Sequence, residues 1–300
     1  MIRTKSGAAA LSVASNSVLI ALKIAAGAIT GSIAIVTEAL HSSIDLIASV
    51  IALVSVRKAD EPPDPEHPYG HERVENVAAA IEGMLILVGA GIIVYEATDR
   101  LVEGAEVETL GVGIAVIAFS AIANLAVSAF LFRRAREQGS PALEGDAEHL
   151  RTDALTSLGV IVGLVLVEVT GHAAFDAIAA LCVAAAIVFA GLRLLTRSSR
   201  VLVDEAPPPE ELDRIEAAIA AARPPEMVGY HKLRARSAGA RRYIDLHVQF
   251  RSGTTLERAH SLAHRLRDAI EAEVPASEVL IHVEPEEAVA GGREGPLRFG

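Results

Sequence analysis

The chain has no tryptophan, only 4% aromatic residues and a single cysteine among 300 residues. Cys182 stands alone inside an apolar run, which excludes a disulfide framework and a thiolate metal site. Net positive charge is also missing: the formal charge is −11 with acidic loops, so nucleic acid is excluded as a partner. The first apolar block has no compact core followed by a small-residue cleavage site, and it runs straight into the next block, so it is not read as a signal peptide.

What is present instead is apolar length. Hydrophobic residues make up 51% of the chain, and the mean hydropathy is +0.39. A membrane-spanning helix needs roughly 20 apolar residues. Six blocks near 7–29, 33–56, 76–99, 109–132, 148–169 and 173–195 meet that requirement. After Thr196 the composition turns charged and proline-punctuated. The expected organisation is an α-helical membrane domain of six spans over residues 1–200 and a proline-rich linker over 201–208. A soluble α+β domain over 209–287 and a disordered tail over 288–300 follow. Basic residues set the orientation. Arg3, Lys5, Arg57, Lys58, Arg73, Arg133, Arg134, Arg136, Arg193, Arg197 and Arg200 flank the spans on one side, and the short loops opposite hold Arg100 alone. Positive residues stay cytoplasmic, so both termini and the soluble domain are expected in the cytoplasm. Lys23, inside the first span, is expected to snorkel toward the outer headgroups.

Two stretches break the apolar pattern in the same way. Residues 36–49 read VTEALHSSIDLIAS and residues 146–157 read DAEHLRTDALTS. In each, an acid stands three before a His, an Asp four after it and a Ser four beyond that. Positions i and i+4 share a helix face, so His41 projects with Asp45 from the second span, and His149 with Asp153 from the fifth. Only a short apolar run follows Asp153, so a full span must draw His149 and Asp153 into the bilayer. Two imidazoles and two carboxylates with no thiolate suit a tetrahedral divalent ion, Zn²⁺ first. Ionisable residues inside a span mark ion or proton pathways. Metal binding requires neutral imidazole and ionised carboxylate, so metal and protons compete for these ligands; proton-coupled antiport is the natural mechanism, with uniport as the alternative. Glu38 and Asp146 are candidate outer partners for the imidazoles, and Ser49 and Ser157 for the carboxylates. Glu82, Asn16 and Asn124 are read as interhelical hydrogen-bonding residues.

These features together resemble the cation diffusion facilitator family of zinc transporters, bacterial type: six spans, an HxxxD in the second and the fifth, and a cytoplasmic C-terminal domain. The resemblance covers nearly the whole chain. It implies a homodimer in the bacterial inner membrane that exports divalent metal from the cytoplasm in exchange for protons by alternating access. It also implies a transport site made of His41, Asp45, His149 and Asp153. Two His with two Asp resembles the zinc-preferring members, which often tolerate cadmium or cobalt. A broad group with Asp in place of the first His also handles iron. The alternatives are a broader Fe²⁺/Mn²⁺ exporter of the same family and a membrane-anchored metal sensor. An enzyme is disfavoured because catalytic zinc keeps an open coordination position, and no nucleophile stands near these ligands. No organic cofactor is implied.

Two further clusters lie outside the spans. In DEPPDPEHPYGHERVE, prolines at 62, 63, 65 and 68 preclude a regular helix, and Asp64, His67 and His71 fall in a loop able to wrap a metal. The resembling transporters carry a second zinc site at this spacing. The soluble domain reads as helix (209–222), strand (227–236), strand (240–250), helix (255–273) and strand (278–284), an αββαβ order expected to lay a helix layer on a small antiparallel-type sheet. This resembles the family's ferredoxin-like, metallochaperone-like domain. The resemblance places His231, His247, His282, Glu284 and His260 where relatives bind zinc near the dimer interface, with Glu284 standing where the family often has Asp. His264 and His172 match no motif. Arg73 and Asp204 resemble a charge pair that locks relatives' protomers at the membrane surface.

Overall fold

The computed structural model describes residues 4–30, 33–103, 112–172 and 174–286, and the side chains at 30, 33–38, 40, 41, 103 and 112–114 are not described. The side chains of Glu38 and His41, and the expected tail over 288–300, therefore lie outside the described residues. The chain divides into two compact units, Met1–Ser199 and Arg200–Gly300.

The first unit consists of helices α1 (Lys5–Thr30), α2 (Ile33–Ala59), α3 (Arg73–Glu103), α4 (Val112–Gln138), α5 (Pro141–Thr170) and α6 (Ala174–Leu202), the last running just past the unit boundary. Among the described residues, five of them are long and apolar enough to cross a membrane; the described part of α2, which carries Asp45 and a basic last turn, falls outside that set. The helices are apolar on both sides. Val18, Ile47, Val88, Ile122, Leu158 and Phe189 point outward, while small residues such as Ala8, Ala9, Ala48, Ala52, Ala78, Ala142 and Ala147 are buried. Small side chains let helix backbones approach closely when water provides no drive for association. At the contact of α3 with α6, a Cβ on Gly83 would fall 2.9 Å from the backbone nitrogen of Leu195.

Two sequence expectations change here. The fifth helix begins at Pro141, a full two turns before the apolar block. Ser140 caps it by accepting from the Leu143 N–H, after Gly139 has turned the chain at φ 59°. Hydropathy misses these turns because their polar groups are satisfied by other helices: Ser49 donates to Asp146, and Arg197 pairs with Glu144. Lys23 does not snorkel outward. It is buried and donates to Ser42 on α2 at 2.7 Å. A buried ammonium needs such a partner, because removing it from water unpaired costs several kcal/mol. Glu75 similarly ties three helix ends together, accepting from Lys5 at 2.8 Å and from the Ser140 hydroxyl.

The second unit holds α7 (Pro209–Ala221), β1 (Met227–Ala238), β2 (Arg241–Phe250), α8 (Leu256–Glu273) and β3 (Ser277–Pro285), in the sheet order β1-β2-β3. The sheet is mixed: β1 and β2 pair antiparallel through a tight connection, but β2 and β3 run parallel. The physical reason is α8, a crossover helix that returns the chain to the same end of the sheet before β3 starts. On β2, Ile244, Leu246, Val248 and Phe250 face a core completed by Ile215, Ile219, Leu262, Leu266 and Ile270 from the two helices. The alternating positions, His247 and Gln249 among them, fall on the opposite face. Strand β1 shifts register between His231 and Arg234, with Lys232 at φ 51°. This bulge turns Leu233 and Ala235 toward the core while leaving His231 on the outer face, opposite His247.

Candidate metal centres

The first centre lies between α2, α3 and α5. Asp45 and Asp153 approach the same nitrogen of His149: Nε2 is 3.4 Å from Asp45 Oδ1 and 3.9 Å from Asp153 Oδ2. Ligand atoms of all three residues lie within 4.8 Å of one another. Tetrahedral zinc at bond lengths near 2.0–2.1 Å separates its ligands by about 3.3 Å, so these distances leave room for an ion with little adjustment. His41 stands one turn before Asp45 on α2, and its side chain is outside the described residues. A polar network supports this centre. Asn16 on α1 donates to Ser49 Oγ at 2.7 Å and to the Asp45 carbonyl at 3.4 Å, and Ser49 Oγ donates to Asp146 Oδ1 at 2.8 Å. Ser49 therefore serves Asp146 rather than Asp45, and Ser157 donates to the backbone carbonyl of Asp153 at 3.1 Å. Asn16 acts as the interhelical donor the sequence led us to expect. The other His149 nitrogen, Nδ1, faces Glu82 Oε2 at 3.4 Å.

The second centre is the loop after α2. Asp64 accepts from the backbone N–H of His67 at 2.6 Å and of Glu66 at 2.9 Å. Its carboxyl also lies 3.2 Å from both His67 Nδ1 and His71 Nε2. The His67 backbone N–H, chiefly, holds the Asp64 carboxyl below its ordinary range. Gly70, at φ 87°, makes the left-handed turn that brings His71 back onto this carboxylate. His71 is buried, whereas His67 is exposed.

The third centre crosses the outer face of the sheet. His231, His247 and His282 are direct register partners across the three strands. Glu284 gathers them: Oε2 lies 2.9 Å from His231 Nε2, while Oε1 lies 2.5 Å from His247 Nδ1 and 3.5 Å from His282 Nε2. His231, His247 and Glu284 form the compact set of potential ligands, and His282 stands at its open rim, 62% exposed. His260 is not among them: on α8 its Nε2 lies 3.0 Å from that of His264, a residue that matched no motif. Asp204, at the end of α6, accepts from Arg236 of its own unit at 3.3 Å.

Two residues near these centres were not tied to them by the sequence. Gln249, the register partner of Glu284, is fully buried, and Glu82 was read only as an interhelical hydrogen-bonding residue. Burial resists ionisation of Glu284, but hydrogen bonds from His247 and His231 outweigh it and hold its carboxyl below the ordinary 4.5. A carboxyl whose folded-state value is lowered contributes stability that is present above the ordinary value and is lost as pH falls through the lowered one. Metal-free protein should therefore lose soluble-domain stability as pH drops below about 4.5. Glu284→Gln should flatten that part of a melting-temperature profile; an unchanged profile would contradict the hydrogen-bonded arrangement.

Comparison with known proteins identifies the two units in order. Residues 9–203 match the cation efflux transmembrane domain, and residues 207–286 match the cytoplasmic domain of cation efflux proteins. An uncharacterized transporter of Synechocystis sp. is 34% identical over 279 residues, covering 92% of this chain and 89% of that protein. The cation-efflux pump FieF of Klebsiella pneumoniae is 31% identical over 293 residues, covering 98% and 97%. Metal tolerance protein C1 of Arabidopsis thaliana is 34% identical over 275 residues, covering 86% of this chain and 58% of its own. Among solved structures, the metal-bound C-terminal domain of the CzcD transporter from Thermotoga maritima matches 29% of this chain and 100% of its own at 27% identity, with a TM-score of 0.25. With both domains matched in order and relatives aligned almost end to end, the chain belongs to the cation diffusion facilitator family and is a membrane cation-efflux transporter, not an enzyme.

Proposed function

We propose that this transporter exports Zn²⁺, with Cd²⁺ and Co²⁺ as tolerated cargo, from the cytoplasm in exchange for protons. It works as a homodimer in the bacterial inner membrane with both termini cytoplasmic and α2 as the sixth span. The observation that carries this reading is the convergence of Asp45, His149 and Asp153, from helices far apart in sequence, into a set whose ligand atoms lie within 4.8 Å of one another. His41 completes the cage as its fourth ligand. Nitrogen and carboxylate ligands without sulfur favour zinc among divalent ions that accept tetrahedral geometry. The same atoms hold protons when metal leaves, which couples the two fluxes. Alternating access moves the cage from cytoplasmic to outward exposure, and each exchange carries metal one way and protons the other.

In this reading the loop set Asp64, His67 and His71 receives metal at the cytoplasmic mouth. The sheet set His231, His247, His282 and Glu284 senses cytoplasmic metal, and Arg73 and Asp204 form the charge lock between protomers. Metal shifts a conformational equilibrium only through differential affinity for its states, so the sheet set tunes transport without performing it. Replacing His231, His247 and His282 together with alanine should weaken apparent metal affinity in transport about tenfold and leave maximal transport standing. Complete loss of transport in a folded triple variant would contradict a tuning role.

Equilibrium binding tests the cage itself. Protein lacking the loop and sheet histidines should keep one tight zinc site per protomer, and His149→Ala in that background should remove it. Tight binding that survives His149→Ala would place the cargo elsewhere.

A further inference from the structure

We propose that Glu82, on α3, is the positioning residue for His149: its carboxyl accepts the Nδ1–H of the imidazole and thereby fixes Nε2 as the nitrogen offered to metal. Glu82 is fully buried, 0% exposed, and neither carboxyl oxygen has a hydrogen-bond partner among the described residues. A buried carboxyl without a partner costs several kcal/mol, so its place requires a reason. His149 Nδ1 lies 3.4 Å from Glu82 Oε2 and likewise has no hydrogen-bond partner among the described residues. The opposite nitrogen, Nε2, faces Asp45 and Asp153. An ion bound at Nε2 sits across the ring from Glu82, so Glu82 is an outer partner of the imidazole and not a fifth ligand. Asp146, the outer partner the sequence pointed to, is instead bonded by Ser49 at 2.8 Å.

The neighbouring helix leaves room for this contact. Gly145 lies one turn before His149 on α5, and a Cβ there would meet Glu82 Cγ at 3.1 Å and Ala79 Cα at 3.2 Å. The absent methyl lets α3 bring Glu82 alongside the ring. A histidine's tautomer is set by the hydrogen bond that its second nitrogen makes. Fixing Nδ1–H removes the tautomer in which Nε2 carries a proton and cannot bind metal. Outer partners of metal-binding histidines typically change metal affinity by about 10–100-fold when removed.

The effect on metal rests on the transport-site reading above, whereas the tautomer does not, and the experiment separates them. The full chain without its loop and sheet histidines, labelled with ¹⁵N-histidine in nanodiscs, is followed by NMR without metal over a pH series carried up until His149 is neutral. It is then titrated with Zn²⁺ against a competing chelator. His149 should be the Nδ1–H tautomer. Glu82→Gln, whose side-chain carbonyl still accepts, should keep that tautomer and bind zinc within about threefold of the parent. Glu82→Met, similar in length and unable to accept in this way, should lose the tautomer preference and bind zinc about 10–100-fold more weakly. An Nε2–H ring in the parent overturns the proposal without any variant, as does Glu82→Met behaving like the parent. Equal losses in Gln and Met with the tautomer unchanged also overturn it, because they would make Glu82 a direct ligand. If the parent shows the expected tautomer but binds no zinc in the membrane domain, the transport-site reading fails and the positioning role stands.

Discussion

Asp45→Ala should abolish metal transport, lowering uptake by at least about 100-fold, while leaving the protein dimeric and folded. Asp45 is buried and approaches His149 Nε2 at 3.4 Å; in the proposed cage it would supply both a ligand and the negative charge that offsets a divalent ion in a low-dielectric site. Removal of even an outer partner costs about 10–100-fold in affinity, and a direct ligand costs more. Alanine also leaves a cavity that water fills without restoring charge, so added metal does not rescue turnover. Asp45→Asn separates the contributions: it keeps the size and one acceptor oxygen but not the charge, and it should be nearly as inactive. The assay is zinc uptake into proteoliposomes, with size-exclusion chromatography confirming assembly. Activity near wild type in Asp45→Ala would remove α2 from the metal path.

Ile244→Ala should unfold the soluble domain under conditions where the parent is stable. Ile244 is fully buried between the sheet and its two helices, beside Ile215, Ile219, Leu266 and Ile270. Truncating a buried isoleucine to alanine costs about 2–5 kcal/mol, a large share of the 5–15 kcal/mol that typically holds a domain together. The domain has one small sheet covered by helices on a single face, so it holds little apolar area in reserve. Glu278→Ala, on the exposed side of β3, should change stability by less than about 0.5 kcal/mol. Hydrogen exchange on β2 amides in the full chain reads both variants. Equal protection in Ile244→Ala and the parent would contradict the core assignment.

Much of this architecture is legible in the chain because membrane helices and strands write their periods directly into the residues. Long apolar blocks mark the helices of the first unit. The alternation in YIDLHVQF marks β2, and the repeated spacing of His and Asp marks the residues that meet at His149. That meeting is itself a tertiary fact, since the i, i+4 spacing places each pair on one face of its own helix and says nothing of the other. What the chain concealed depends on partners distant in sequence. Lys23 reads as a snorkelling residue until Ser42 is seen beside it. The first turns of α5 fall outside the apolar block, and their charges are satisfied by α2 and α6. The bulge at Lys232 does leave a trace, a slip in apolar phase between Tyr230 and Leu233, but the parallel pairing of β3 leaves none until α8 is read as a crossover. Glu82 is the hardest case. One acid in an apolar helix looks the same in sequence whatever it faces, and its 3.4 Å approach to His149 is visible only in the structure.

If metal and protons share one cage and move in opposite directions through it, the two fluxes are inseparable. Purified protein in sealed vesicles, carrying a zinc-sensitive dye and a pH-sensitive dye in the lumen, measures both fluxes at once. External Zn²⁺ should enter only as protons leave, an imposed proton gradient should drive zinc uphill, and both signals should vanish together in Asp45→Ala. Zinc entry with no opposing proton movement, or proton movement that persists in Asp45→Ala, would contradict the shared cage.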